Sequence, residues 1–274
     1  MTGPEGVIPL HPAPLGPGVE AWFTGAPVAQ PAPGTVERVG NLSTTRPHRP
    51  GDVARDRARV GTATATDPRH WHHMRQVHGH AVGRIDASTP PGAQVRDVDA
   101  LVTDLTARPL VVEVADCVSV LLAGTRTIAA VHAGRRGVEA DVVGAAVARM
   151  RTSEGGTAPI AAVIGPAIGG CCYEVPATMR SEVVDVVPAA AATTTWGSPA
   201  LDLPAAVRTQ LSAVGVDAVG RVGGCTRCTP GWFSHRADPD AGRQIGLVVR
   251  RDLATTGRDV RTAGRQVAAG SAVA

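Results

Sequence analysis

The chain has 274 residues, a formal net charge of +3, 43% hydrophobic residues and a mean hydropathy of +0.04, the profile of a globular protein with one large domain or two modest ones. All 27 basic residues are arginine; they form no run that would track a phosphate backbone, and the seven aromatic residues offer few stacking platforms, which argues against a nucleic-acid partner. No window holds the roughly 18 apolar residues that span a bilayer and the first residues lack a secretory pattern, so a cytoplasmic protein without a membrane partner is expected.

Residues 1–18, rich in Pro and Gly, and 263–274 read as flexible ends around a single domain, 19–262. The stretch GDVARDRARV predicts a short helix over 52–60 with Asp52 as a possible N-cap. Strands are expected at 81–85, 100–103, 110–114, 117–123 and 127–132. Apolar positions 138, 142, 146 and 150 then form a helical stripe over 138–151. A buried strand follows at 160–168, running into a Gly/Pro loop, and 189–200 reads as a surface loop or insertion. Pro204 in the first turn and Gly215 at the end frame a helix over 203–215. Two later strands are expected in AVGRVGG and QIGLVVR. Hairpins mixed with helices favour an α/β (α+β) architecture, a mixed β-sheet core with helices outside, and neither nucleotide-binding glycine motif is present.

The centre of the chain, VVEVADCVSVLLAGTRTIAAVHAGRRG, raises a chemical question because Cys117 and His132 occupy positions where a buried strand favours valine. A two-residue Gly124-Thr125 turn pairs Ala123 with Arg126, and so places Cys117 directly opposite His132 on one face. Both could then reach one ion at zinc–ligand distances of about 2.0–2.3 Å. A three-residue turn would separate them across the sheet. An ordinary buried thiol beside a hydrogen-bonded histidine is the alternative reading of the same pair. A third ligand would come from HWHHMRQVHGH, which holds His70, His72, His73, His78 and His80; spacing does not choose among the five. Three protein ligands and an open position are the catalytic arrangement of zinc.

The pieces NLST, RQVHG, DVDALVTD, VADCVSVLLA, AAVHAGRRG, IGPAIGGCCYEV, LDLPAAVRTQL, GGCTRC and FSHRADPDAGRQIG, in this order between about Asn41 and Gly246, resemble the laccase-domain family, first labelled multicopper polyphenol oxidases and since associated with purine nucleoside phosphorolysis. The resemblance implies packed sheets flanked by helices and a Zn2+ ion held by His78, Cys117 and His132. It also implies phosphorolysis of adenosine, inosine, guanosine or methylthioadenosine, with adenosine deamination attributed to the same family. Purine nucleoside and phosphate are then the small-molecule partners, for a monomer or homodimer. The chain departs from the family pattern at FTGAPVAQPAPG, at Arg135 in place of a tryptophan, and at Asp56-Arg57 in place of Asn-Arg.

HAGRRG lies between a strand and a helix, a setting for an anion cradle in which Arg136 matches the family's arginine; two solvated arginines at a helix start are the plainer alternative. Arg57, Asn41 and Gln76 are the further substrate-binding candidates. Asp116, beside Cys117, is a candidate general acid/base or histidine partner, or a structural acceptor. CCYE (171–174) and CTRC (225–228) contain a metal spacing, C-x-x-C, but the adjacent cysteines are a poor complement to it, so core thiols lining the pocket are expected. Rival functions are a copper-dependent polyphenol oxidase, a peptidoglycan-precursor amidase and a catalytically silent binding protein. The first needs paired H-x-H motifs in separate segments, whereas this chain has a single histidine cluster.

Overall fold

The computed structural model describes residues 7–27, 39–45, 49, 51–156 and 158–252. Two sheets face each other. One has four antiparallel strands in the order β1 (Leu10–Pro12), β2 (Val19–Thr24), β14 (Gln244–Arg250), β7 (Leu110–Val114). The other is mixed and runs β13 (Ala218–Arg221), β10 (Ala161–Ile164), β8 (Val118–Ala123), β9 (Ile128–Ala133), β6 (Ala100–Thr103), β4 (Val82–Arg84), with parallel pairs at both edges. Two small ribbons complete the sheets: β3 (His73–Arg75) with β5 (Gln94–Arg96), and β11 (Ala191–Thr193) with β12 (Pro199–Leu201).

The central strands read as unbroken apolar runs because they are covered on both faces. Val118, Val120 and Leu122 of β8, with Ala129, Val131 and Ala133 of β9, pack under α3 (Val142–Glu154) and α5 (Leu203–Ala213). The alternate residues, Leu121, Ile128 and Ala130, turn to the four-stranded sheet and meet Phe23, Leu110, Val112 and Val248. The outer face of that sheet is covered around Trp71 and by Val60 of α1 (Asp52–Ala63). The sandwich is thus helix, sheet, sheet, helix, the mixed core of packed sheets flanked by helices expected from the sequence.

Several local expectations shift. The helix expected over 138–151 is two helices, α2 (Arg135–Glu139) and α3, because Asp141 adopts φ 54° and caps the second, accepting from the Gly144 N–H. Gly51, not Asp52, is the N-cap of α1, and Asp52 pairs with Arg55 one turn on. Residues 10–12 of the expected loose start form β1, and Ile8, Ala13 and Leu15 beside it are buried. The region 189–200 is mostly the β11–β12 hairpin rather than a plain loop. α4 (Ala177–Val186) was not anticipated; Val183 is its one buried residue, so its apolar stripe is faint. The expected C-terminal tail, 263–274, lies outside the described residues.

The hairpin that raised the chemical question has a longer connection than expected. Ala123 pairs with Ile128 and His132 with Ser119, while Gly124 N–H donates to the Thr127 carbonyl, so the tight turn is Thr125-Arg126. The register is offset by two residues from the Gly124-Thr125 prediction. An even offset keeps side-chain parity, so Cys117 and His132 remain on one face, diagonal rather than opposite.

Candidate active site

His132, at the end of β9, points into the space between the sheets, and Cys117 lies just before β8 on the same face. His78 arrives from the loop after β3. One ligand atom from each of the three lies within 4.8 Å of the others, and Cys117 Sγ is 3.7 Å from His78 Nε2. Among the described residues, His78 is the only one of the five clustered histidines that joins Cys117 and His132 in a possible metal-ligand group. Gly134 makes the approach possible: a Cβ there would lie 2.5 Å from the His78 ring and 3.3 Å from Cys117 Sγ.

The organiser of the triad is Asp99, fully buried immediately before β6. Its carboxylate accepts from the N–H groups of His78 (2.9 Å), Gly79 (2.7 Å) and Val77 (3.3 Å), holding His78 at φ 61°, a left-handed conformation that costs a non-glycine residue. The same carboxylate lies 2.7 Å from His132 Nδ1 and so leaves Nε2 facing Cys117. Burial pushes the Asp99 carboxyl up, but the His132 imidazole and the backbone donors outweigh it and hold it below the ordinary carboxylate range. Burial likewise opposes charge on Cys117 and His132. Each nevertheless stabilises the other: the thiol comes down to about 6 and the imidazole, also held by Asp99, goes up to about 9. Two histidine nitrogens and a thiolate, with a carboxylate behind one histidine and a cavity in front, fit a soft-to-borderline divalent ion with an open coordination position.

That cavity, about 590 Å³, is lined on its polar side by Arg57, Arg75, Arg243, Gln76, His73 and Glu113. Glu113 is the single charge in the buried β7 run. Arg57 Nη2 donates to its Oε1 at 3.1 Å, and His73 Nδ1 lies 3.2 Å from the same oxygen. Burial raises the Glu113 carboxyl, yet His73, Ser43 and Arg57 together hold it ionised. Arg57 Nε also donates to the Leu42 carbonyl, so its guanidinium is fixed at the cavity wall.

Other expected site residues fall elsewhere. The Asn41 amide is buried and bound to backbone, accepting from the N–H of Ser43 and Arg243 and donating to the Ser43 carbonyl; it braces two loops and does not line the cavity. Gln76 does line it, but its amide is engaged in two bonds to the Glu113 backbone. Asp116 (φ 87°) accepts from the Thr226 hydroxyl and the Arg236 N–H, both at 2.6 Å, so its carboxylate ties loops together outside the cavity. Arg136 is exposed on α2 and, like its neighbour Arg135, which pairs with Glu139, is not among the cavity-lining residues. Arg136 stands on the solvent side of this short helix, and Arg135 is held by Glu139. Cys171, Cys172, Cys225 and Cys228 do not line this pocket either; they gather in a separate cluster.

Asp99 and Glu113 escaped the sequence reading, and His73 entered it only as one of five alternative metal ligands. For the first two a signal existed: Asp99 sits in the DVDALVTD stretch, and Glu113 breaks an otherwise apolar strand. Arg243, just before β14, is carried to the site by the long-range pairing of β14 with β7.

Residues 34–251 match the family described as multi-copper polyphenol oxidoreductase laccase. Proteins named purine nucleoside phosphorylase are similar: one from Streptomyces coelicolor is 45% identical over 73% of this chain and 83% of its own length, and one from Xylella fastidiosa strain 9a5c is 37% identical over 85% and 92%. Among solved structures, YlmD from Geobacillus stearothermophilus superposes with a TM-score of 0.75 at 30% identity, covering 86% of this chain and 93% of that one. The hypothetical protein YfiH from Bacillus licheniformis gives 0.74 at 25% identity, covering 85% and 93%. With the family pattern matched across most of its length and the sandwich shared with these structures, the chain belongs to the multi-copper polyphenol oxidoreductase laccase family.

Proposed function

We propose that the chain is a zinc-dependent purine nucleoside phosphorylase acting in the cytoplasm on adenosine, inosine, guanosine or methylthioadenosine, with inorganic phosphate as co-substrate. The observation that carries this reading is the meeting of the His78, Cys117 and His132 donors with a cavity of about 590 Å³ lined by three arginines. Its volume falls within the range usual for small-molecule sites. The relatives named purine nucleoside phosphorylase support it. His78, Cys117 and His132 would hold the zinc ion, which would supply Lewis acidity.

The chain's own residues do the rest. Arg57 and Arg243 place fixed positive charge where a phosphate dianion must be held, and donate in planar geometry suited to its oxygens. His73, 3.2 Å from the Glu113 carboxylate at the cavity wall, is the group assigned to pass a proton to the purine ring as the glycosidic bond breaks. Gln76 locks the Glu113 backbone and so sets the height of that pair in the cavity. Asp116 is a positioning residue for the segment carrying Cys117.

Base release from adenosine and inosine, assayed with and without phosphate alongside metal analysis, tests the proposal. The expected result is phosphate-dependent release of the base, with ribose 1-phosphate formed, lost in Cys117→Ala. Inosine formed from adenosine without phosphate would move the assignment to deamination. Turnover of phenols alone, with copper bound, would overturn it.

A further inference from the structure

The four cysteines outside the active site come from two loops. Cys171 and Cys172 follow β10; Cys225 and Cys228 follow β13, its parallel neighbour in the sheet. A bridge between Ala167 and Cys225 and the Thr226 N–H to the Ala167 carbonyl bring the loops side by side. The four sulfurs all lie within 4.8 Å of one another, and Cys171 Sγ is 3.8 Å from Cys228 Sγ. Tetrahedral thiolates at a zinc–sulfur distance of about 2.3 Å stand about 3.8 Å apart. An inorganic iron–sulfur core would force the four sulfurs wider, so the spacing suits one ion.

The surroundings of Cys225 point the same way. The Gly169 N–H donates to its sulfur at 3.3 Å, and the N–H groups of Arg227 and Cys228 are directed at it from within the C-T-R-C turn. A backbone donor directed at the sulfur fixes its position and direction, as a ligand atom requires.

We propose that Cys171, Cys172, Cys225 and Cys228 form a second, tetrathiolate zinc site with a structural role. All four coordination positions are protein sulfurs, which leaves none for substrate. Binding releases the protons of those cysteines still carrying one, and it cross-links the loops after β10 and β13. Those loops are fastened to the active site: Thr226 donates to the Asp116 carboxylate, and Ile168 N–H to the Asp116 carbonyl, one residue from Cys117. The second ion therefore stiffens the wall behind the first site. This assignment stands apart from the activity proposed above and from whether the His78 site is filled.

Metal content of the full chain tests it. Wild type is expected to hold one more equivalent of zinc per chain than the Cys225→Ser/Cys228→Ser variant, whatever the occupancy of the other site. Cys117→Ala keeps the four cysteines intact and covers the case in which the double variant fails to fold. Loaded with cobalt(II), Cys117→Ala should take up one equivalent and show the intense visible bands of a tetrahedral tetrathiolate. Equal zinc in folded wild type and double variant, a Cys171–Cys228 disulfide in the purified chain, or a Cys117→Ala protein that binds no cobalt would each overturn the site.

Discussion

Asp99 organises the candidate metal site, because one buried carboxylate fixes the backbone around His78 and the tautomer of His132. Asp99→Asn preserves shape but offers its single carbonyl oxygen where two carboxylate oxygens now serve four donors. It should weaken metal binding roughly 10–100-fold, measured by competition with a chromogenic chelator; unchanged affinity would remove Asp99 from the account. The charged Cys117–His132 pair makes a second prediction, for chelator-treated protein. The thiol, lowered from 9.0 to about 6, contributes stability that is complete above 9 and lost as pH falls through about 6. The imidazole, raised from 6.5 to about 9, contributes stability complete below 6.5 and lost as pH rises through about 9. Thermal stability of the metal-free chain should therefore be highest between these limits, and Cys117→Ser should flatten the profile. A wild-type curve as flat as the variant's would show that the pair is not charged.

The elements show where sequence reasoning reaches and where it stops. The long apolar strands and the helices with strong caps were legible, because unbroken apolar runs, Pro204 and terminal glycines act locally. Short strands such as β1, β3 and β5 were not: three residues carry no period, and pairing alone defines them. The grouping of His78, Cys117 and His132 was expected from residue type and family pattern, yet its geometry follows from a turn that sequence misplaced by one residue, which shifts the strand register by two. The reason is a distant partner. Glu154, at the end of α3, reaches the hairpin and accepts from Arg126 N–H (2.9 Å), Thr127 N–H (2.7 Å) and the Thr127 hydroxyl (2.7 Å). That clamp selects the Thr125-Arg126 turn. Burial pushes the Glu154 carboxyl up, but these donors outweigh it and keep it charged. Glu154→Ala should cost about 1–3 kcal/mol, read by urea unfolding, with metal content unchanged because the strand pairs that carry His132 persist. A loss of metal equal to that of Cys117→Ala would mean the clamp governs the register of the whole hairpin.

At the scale of the whole molecule, the two faces of the central sheet have different duties. The face under α3 and α5 is continuous apolar core, whereas the face toward the four-stranded sheet ends in His132 and Cys117 and opens into the cavity. Leu121 and Leu122 are adjacent, fully buried and chemically identical, but they fall on opposite sides: Leu122 packs in the helix layer, and Leu121 in the layer between the sheets. Each truncation to alanine leaves a comparable cavity and should cost about 2–5 kcal/mol. Their effects on the site should differ. Leu121 pairs with Ala130, two residues along β9 from His132, and its side chain packs in the layer between the sheets, the layer into which His132 points. Leu121→Ala should therefore lower metal affinity and raise KM for nucleoside at temperatures where the variant is fully folded. Leu122→Ala, equally destabilised, should match wild type in both. If the two variants lose metal affinity in parallel, the site responds to global stability alone, and the division of labour between the two faces does not hold.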